Sequence, residues 1–444
     1  MRNKTAVHSC PAELEFLEVS RGIEAYRLKE NGLQVLLYRL PIAPVVTCMI
    51  TYLVGSRHEY QGLTGATHML EHLMFKGTEK FNKEKGTSIF HVLQRVGARL
   101  NATTWLDRTN YYELLPRQHL GLALEIEADR MRNARITEED VESERQVILN
   151  EMDRGENDPI RNLYQGVWST AFWAHTYHHP TIGWRSDVEH MTAEKLRHFY
   201  DTYYWPNNAT VSIIGDFDRE EVFDLLLKHF GPIPASPHPI PELYIEEPPQ
   251  RGPRRLSVRQ GGEVGAVLMG FKIPRGLEQD VDALDVLCRV FGEGKTSRLY
   301  KALVDTGLAA STWAAAFRLH DPGLLHVFAL LAPGHTHREV EEAIWDVIHA
   351  VQEEGITEEE RTRACQQIHA AEAFGRDGPF LIAAQLNEAI AAGDWRLYTT
   401  YLDRIGRVTL EDVQRVATQY LDEQHVTIGY YEPVTLPGSN GVEV

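Results

Sequence analysis

Four cysteines in 444 residues are too few and too scattered to organise this chain. Cys10, Cys48, Cys288 and Cys365 form no C-x-x-C pair, which excludes both a thiolate zinc site and a dense disulfide framework. Cys48 and Cys288 stand in apolar surroundings and read as small core residues. Long apolar runs are missing as well. None reaches the roughly 20 residues that a membrane-crossing helix needs, so no membrane span is expected. Met1 to Glu13 lacks the apolar stretch of a signal peptide, which leaves a cytoplasmic protein, or a periplasmic one whose leader has been removed. Basic charge is in deficit. Lys and Arg number 45 against 63 Asp and Glu, a formal net charge of -18. That balance excludes the basic face a nucleic-acid binder wants.

The remaining composition is that of an ordinary globular protein, 43% hydrophobic and 24% charged, in a chain too long for one core. Two or more domains are expected. The organising stretch is 65–78, which holds His68, Glu71 and His72. On a helix turning about 100° per residue, His72 lies about 40° and Glu71 about 60° from His68, so all three project from one arc of about 100°. Two imidazoles on one face can share a zinc ion and leave room for a water, and a carboxylate beside them can take that water's proton. Leu70, Leu73 and Met74 are left to pack the helix. H-x-x-E-H is the inverted zincin pattern. The competing reading is a wet helix face with three polar residues, and a third ligand elsewhere in the chain decides between the two.

One later helix offers that ligand. Residues 137–140 form a capping sequence, and Val141, Ile148 and Met152 follow as an apolar stripe at helical spacing. Glu144 and Glu151 lie two turns apart on one edge of the stripe, before Asp158-Pro159 ends the run. A carboxylate beside a buried stripe needs a partner, which a metal would supply. Two solvated helix glutamates are the alternative.

Strands are expected at 32–38, 45–54 and 209–216, with a strand pair over 99–115. Helices are expected at 88–96, 120–133, 193–203 and 219–230, and residues 1–20 read as a lead-in. Eight of the 21 prolines cluster between Pro232 and Pro253, which marks a linker. The pattern then begins again. A strand at 264–271 and helices at 280–291 and 296–304 lead to 307–313, an echo of 96–105, and the chain closes with a helix at 411–420 and a strand at 425–431. This weak, ordered self-similarity is the mark of a duplicated domain. The expected division is a lead-in at 1–20, a metal-bearing domain at 21–232, a linker at 233–254 and a second domain at 255–444. The second copy lacks the zinc motif: 285–289, Asp-Val-Leu-Cys-Arg, carries no metal-binding set.

The motif at 68–72 is joined by Glu144 to Glu151, by Gly97-Ala98-Arg99-Leu100-Asn101-Ala102-Thr103-Thr104, by Tyr204-Trp205-Pro206-Asn207-Asn208 and by Gly215-Asp216. Through these residues the chain resembles the M16 metallopeptidases, the pitrilysin and mitochondrial processing peptidase family, from about residue 21 to 432. It is most like the bacterial members with two-domain subunits. The resemblance implies an α+β fold of two homologous domains, each a mixed sheet with helices packed on one side. It implies a zinc endopeptidase that cleaves peptides or unfolded segments with one Zn2+ per chain. Carried over residue by residue, Glu151 becomes the third ligand with His68 and His72, and Glu144 a second carboxylate near the site. The His72–Glu151 separation is slightly longer than the family's usual one, which implies a loop insertion and keeps Glu144 as the fallback ligand. Glu71 becomes the general base. Asn101 and Ala102 fall where the family lines the substrate backbone on an edge strand.

One departure stands out. Active single-chain and homodimeric relatives carry an Arg and a Tyr in the second domain that hold substrate and stabilise the oxyanion, and this chain has Val304 and Ala310 there. The resemblance therefore implies a heterodimer, in which a paralogous subunit supplies the pair. Arg298 or Tyr300 is the alternative source within the chain. A non-catalytic scaffold or core subunit, or a hydrolase of non-peptide substrates on the same zinc site, are the competing functions.

Overall fold

Runs rich in Val, Ile, Leu and Tyr, bounded by turn residues, form the strands of the computed structural model, which describes residues 10–434. β1 (Leu14–Ser20), β2 (Ile23–Leu28), β3 (Gln34–Arg39), β4 (Val45–Tyr52), β5 (Arg99–Thr104), β6 (Thr109–Pro116) and β7 (Ala209–Gly215) join in the order β1-β2-β3-β7-β4-β6-β5. β8 (Arg254–Gly261), β9 (Ala266–Ile273), β10 (Ala309–Ala316), β11 (Gly323–Leu331) and β12 (Val426–Val434) join in the order β10-β11-β9-β12-β8. Among the described residues only the β3–β7 and β8–β12 neighbours are parallel, so both sheets are mixed. Without β1 and β2, and with the second order read from its β8 end, the two coincide position by position, parallel step included. The self-similarity of the sequence is thus a duplicated topology.

The helices in chain order are α1 (Ala66–Leu73), α2 (Ile89–Arg95), α3 (Leu120–Asn133), α4 (Glu138–Glu156), α5 (Pro159–Ala171), α6 (Arg185–Glu189) and α7 (Ala193–Tyr203). There follow α8 (Arg219–His229), α9 (Asp280–Gly292), α10 (His337–Glu354), α11 (Glu358–Phe374), α12 (Pro379–Ala391), α13 (Arg396–Ile405) and α14 (Leu410–Tyr420). None of them is long and apolar enough to cross a membrane.

Contacts divide the chain into two units that interleave, where the sequence suggests the contiguous spans 21–232 and 255–444. The first takes the residues up to Leu149, Thr181–Tyr244 and Gly375–Thr399; the second takes Asn150–Pro180, Ile245–Phe374 and the residues from Thr400 on. The cause is a reciprocal exchange of one helix. In the first unit Arg130 of α3 meets Tyr111 and Glu113 on one face of β6. The opposite face belongs to α12, whose Phe380 ring lies 4.6 Å from that of Tyr112 and whose Asn387 accepts from Thr51 Oγ1 at 2.7 Å. In the second unit Met269, Phe271, Leu325 and Val327 share a core with α9, α10 and α14. The other face belongs to α5, which lies so close that a Cβ on Gly429 would come within 2.7 Å of Leu163 and Val167. Most helices thus lie on one side of each sheet, with a single exchanged helix on the other.

Two local expectations change. Residues 14–20 are not a lead-in but the edge strand β1, paired antiparallel with β2, in which Leu14 is buried, Glu15 exposed and Phe16 half-buried. Residues 1–9 lie outside the described part. The helix expected at 296–304 starts at Arg298 and turns π-type over Tyr300–Val304, before Gly307 at φ 82°.

A buried ionic triad ties β6 to α3 in the first unit. Arg130 is fully buried, donates from Nε to Glu127 at 2.9 Å and from Nη2 to Glu113 at 3.3 Å, and stacks over the rings of Tyr111 and Phe75. Phe75 lies two residues beyond the end of α1, so the triad reaches the segment that leaves that helix. Replacing Arg130 by Met leaves two buried carboxylates without their cation and is expected to cost about 3–5 kcal/mol. Urea unfolding of R130M measures this, and a loss below about 1 kcal/mol would show the triad to be structurally neutral.

Candidate metal centre

The sequence places His68, Glu71 and His72 on α1, and burial divides that helix as the 100° rule requires. Met69, Leu70 and Leu73 are buried, whereas His68, Glu71 and His72 are half-buried. Met74, just past the helix, is buried too. Gly65 starts α1 at φ 85°, and a Cβ there would lie 2.5 Å from the Ile182 carbonyl, so only glycine fits.

α4 begins where expected, with Thr137 Oγ1 accepting from the Asp140 amide at 3.1 Å, and buries Val141, Ile148 and Met152. It runs unbroken from Glu138 to Glu156, and the division between units falls inside it, after Leu149. Glu151 therefore rides on the same helix as Glu144. One ligand atom each of His68, His72 and Glu151 lie within 4.8 Å of one another, and among the described residues no other group of three His, Cys, Asp or Glu side chains gathers this way. Two imidazoles and a carboxylate suit zinc, whose ligand distances are about 2.0–2.2 Å and whose catalytic sites keep a fourth position open.

Glu144 is engaged elsewhere. Its Oε2 lies 2.9 Å from His72 Nδ1 and its Oε1 2.6 Å from Lys76 Nζ. The hydrogen bond to His72, helped by Lys76, holds the Glu144 carboxyl down at about 2 against the upward push of burial. An ionised carboxylate only accepts, so His72 Nδ1 donates this bond, and in the neutral ring that leaves the Nε2 lone pair for a metal. This is the arrangement that orients metal-binding histidines in general. Glu71 receives a hydrogen bond from Thr104 Oγ1 at 2.6 Å, which ties it to β5. β5 is the last strand of its sheet, and on it Asn101 is exposed while Ala102 is buried.

The second-domain positions are also plain. Arg298 is committed to a bidentate pair with Glu360, both bonds at 2.8 Å, and to the Gly355 carbonyl at 3.1 Å. Val304 ends the short π-type turn, and Ala310 is an exposed residue at a register shift of the edge strand β10. Sequence reasoning passed over Lys76 and Thr104. Lys76 lies four residues beyond His72, a spacing that was available as a signal; Thr104 has no local signal, because its partner lies 33 residues away.

A family model described as "Insulinase (Peptidase family M16)" matches residues 34–183, and one described as "Peptidase M16 inactive domain" matches residues 190–368. The zinc protease PqqE of Helicobacter pylori is 31% identical over 418 residues, which cover 92% of this chain and 93% of that protein. The crystal structure of a protease from Helicobacter pylori superposes with a TM-score of 0.88 at 30% identity, covering 94% of this chain and all of that one. A probable mitochondrial-processing peptidase subunit beta of Arabidopsis thaliana is 25% identical over 428 residues, 92% of this chain and 78% of that one.

Proposed function

The chain belongs to peptidase family M16, and from that premise we propose that it is a zinc-dependent endopeptidase for peptides or unfolded segments, acting as the zinc-bearing subunit of a heterodimer. The observation that carries this reading is the gathering of His68, His72 and Glu151, with Glu71 on the same helical arc and Glu144 spent on His72. His68, His72 and Glu151 would hold one zinc ion. When bound, zinc acts as a Lewis acid and brings the pKa of its water to about 7. Glu71 accepts the proton of the attacking water and later returns it to the leaving amine. Thr104 holds the Glu71 carboxylate at Oε2, and Glu144 holds the His72 ring. A substrate strand adds to the open edge of β5 near Asn101, so that backbone contacts dominate and side-chain selectivity is loose.

The ligand assignment is tested by metal content. Glu151→Gln is expected to strip zinc on dialysis, whereas Glu144→Gln, which loses only an orienting bond, weakens binding by about 10–100-fold and refills at excess zinc. Retention by the Glu151 variant with loss by the Glu144 variant reverses the assignment. The second reading is a non-catalytic scaffold, favoured by Val304 and Ala310, which lack the groups that stabilise an oxyanion. Bound zinc without peptide cleavage in any assembly would select it.

A further inference from the structure

The helix that carries His68, Glu71 and His72 has no cap of its own. Its N-cap residue is Gly65, and no side chain of the helix or its cap satisfies the first amides. At a helix start these amides need acceptors, ordinarily a Ser, Thr, Asp or Asn at the cap. Here the acceptor comes from outside the helix. Glu59 is 1% exposed, and its carboxylate takes the Gly65 amide on Oε2 and the Thr67 amide on Oε1, both at 2.7 Å. Thr67 directly precedes His68. A second carboxylate grips the same approach: Asp187 accepts from the Gly62 amide at 3.0 Å and from the Thr64 amide and hydroxyl at 3.2 and 2.7 Å. The loop into the helix is thus pinned, and Glu59 takes the Gly65 and Thr67 amides while the Ala66 amide between them reaches the Leu63 carbonyl at 3.2 Å.

With the zinc reading above as its basis, we propose that Glu59 is a positioning residue of the site, whose two bonds to the first amides of α1 fix the axial placement of His68, Glu71 and His72. α1 has only eight residues, so a frayed first turn reaches His68 at once. A stable longer helix would absorb the loss of a cap; this one has no spare turn between cap and ligand. Glu59 touches neither metal nor substrate, and its effect passes through the helix it caps.

Glu59→Met removes both acceptors at similar volume, and Glu59→Gln keeps one acceptor oxygen. Three readouts are taken on the full chain at a temperature where every variant is folded. In the metal-free chain, the Gly65 and Thr67 amides of E59M should exchange with solvent about tenfold faster than wild type. In the zinc-loaded chain, competition with a chromophoric chelator should show roughly tenfold weaker zinc binding. In the assembly that cleaves an unstructured peptide, kcat at saturating zinc should fall about tenfold or more while KM stays unchanged. E59Q should lie between wild type and E59M in all three, and it carries the test if E59M does not fold. A wild-type chain that binds no zinc overturns the peptidase reading and this inference with it. A wild-type chain that binds zinc, with variants unchanged in exchange, zinc binding and kcat and lowered only in melting temperature, overturns this inference alone.

Discussion

Glu71→Gln should keep its zinc and lose nearly all turnover. Under the proposed assignment Glu71 is not a ligand, because the ligand atoms that gather are those of His68, His72 and Glu151. Its hydrogen bond from Thr104 survives the change, because a glutamine side-chain carbonyl accepts as a carboxylate oxygen does. The variant is therefore close to isosteric, and what it loses is the capacity to take up a proton. General-base catalysis contributes about 10²–10⁴-fold, and a loss of that size is expected in kcat with metal content unchanged. Metal analysis of the variant used in the peptidase assay separates the two effects. Substantial turnover in a zinc-replete E71Q chain would remove Glu71 from the role of base.

The second large effect is expected from a partner subunit. The side chains of Val304 and Ala310 offer no hydrogen bond. Arg298, the arginine weighed as a replacement, is held by Glu360 and by the Gly355 carbonyl. Freeing it would break a bidentate pair, which is stronger than a single charge contact. The loss of one donor to a developing oxyanion costs about 10²–10³-fold in rate. The isolated chain should therefore cleave an unstructured peptide at least about a hundredfold more slowly than its mixture with a paralogous subunit that retains the Arg and Tyr. Full activity of the chain alone, unchanged by any such subunit, would contradict the heterodimer.

The parts of this site that follow a local rule were readable in the sequence. His68, Glu71 and His72 share an arc because they lie within four residues, and the observed burial of α1 follows that arc. The boundaries of α3 and α7 follow from apolar periodicity in the same way. Glu144 and Glu151 are different. Seven residues apart, they occupy the same edge of α4, and spacing alone treats them alike. The bond from His72 to Glu144 is what distinguishes them, and that contact spans 72 residues. Glu59 looks like an ordinary acidic loop residue until the fold brings the Gly65 and Thr67 amides onto it. The exchange of α5 and α12 is hidden for a related reason. An amphipathic pattern states that a helix face is buried, not which sheet buries it.

Diffraction at the zinc absorption edge, from crystals of the zinc-loaded chain, tests the central claim most directly. A single anomalous peak is expected within about 2.0–2.2 Å of one nitrogen of His68, Nε2 of His72 and a carboxylate oxygen of Glu151. Glu144 should remain on His72 Nδ1, outside the coordination sphere. A peak bound by Glu144 in place of Glu151, or one away from both histidines, would contradict the account.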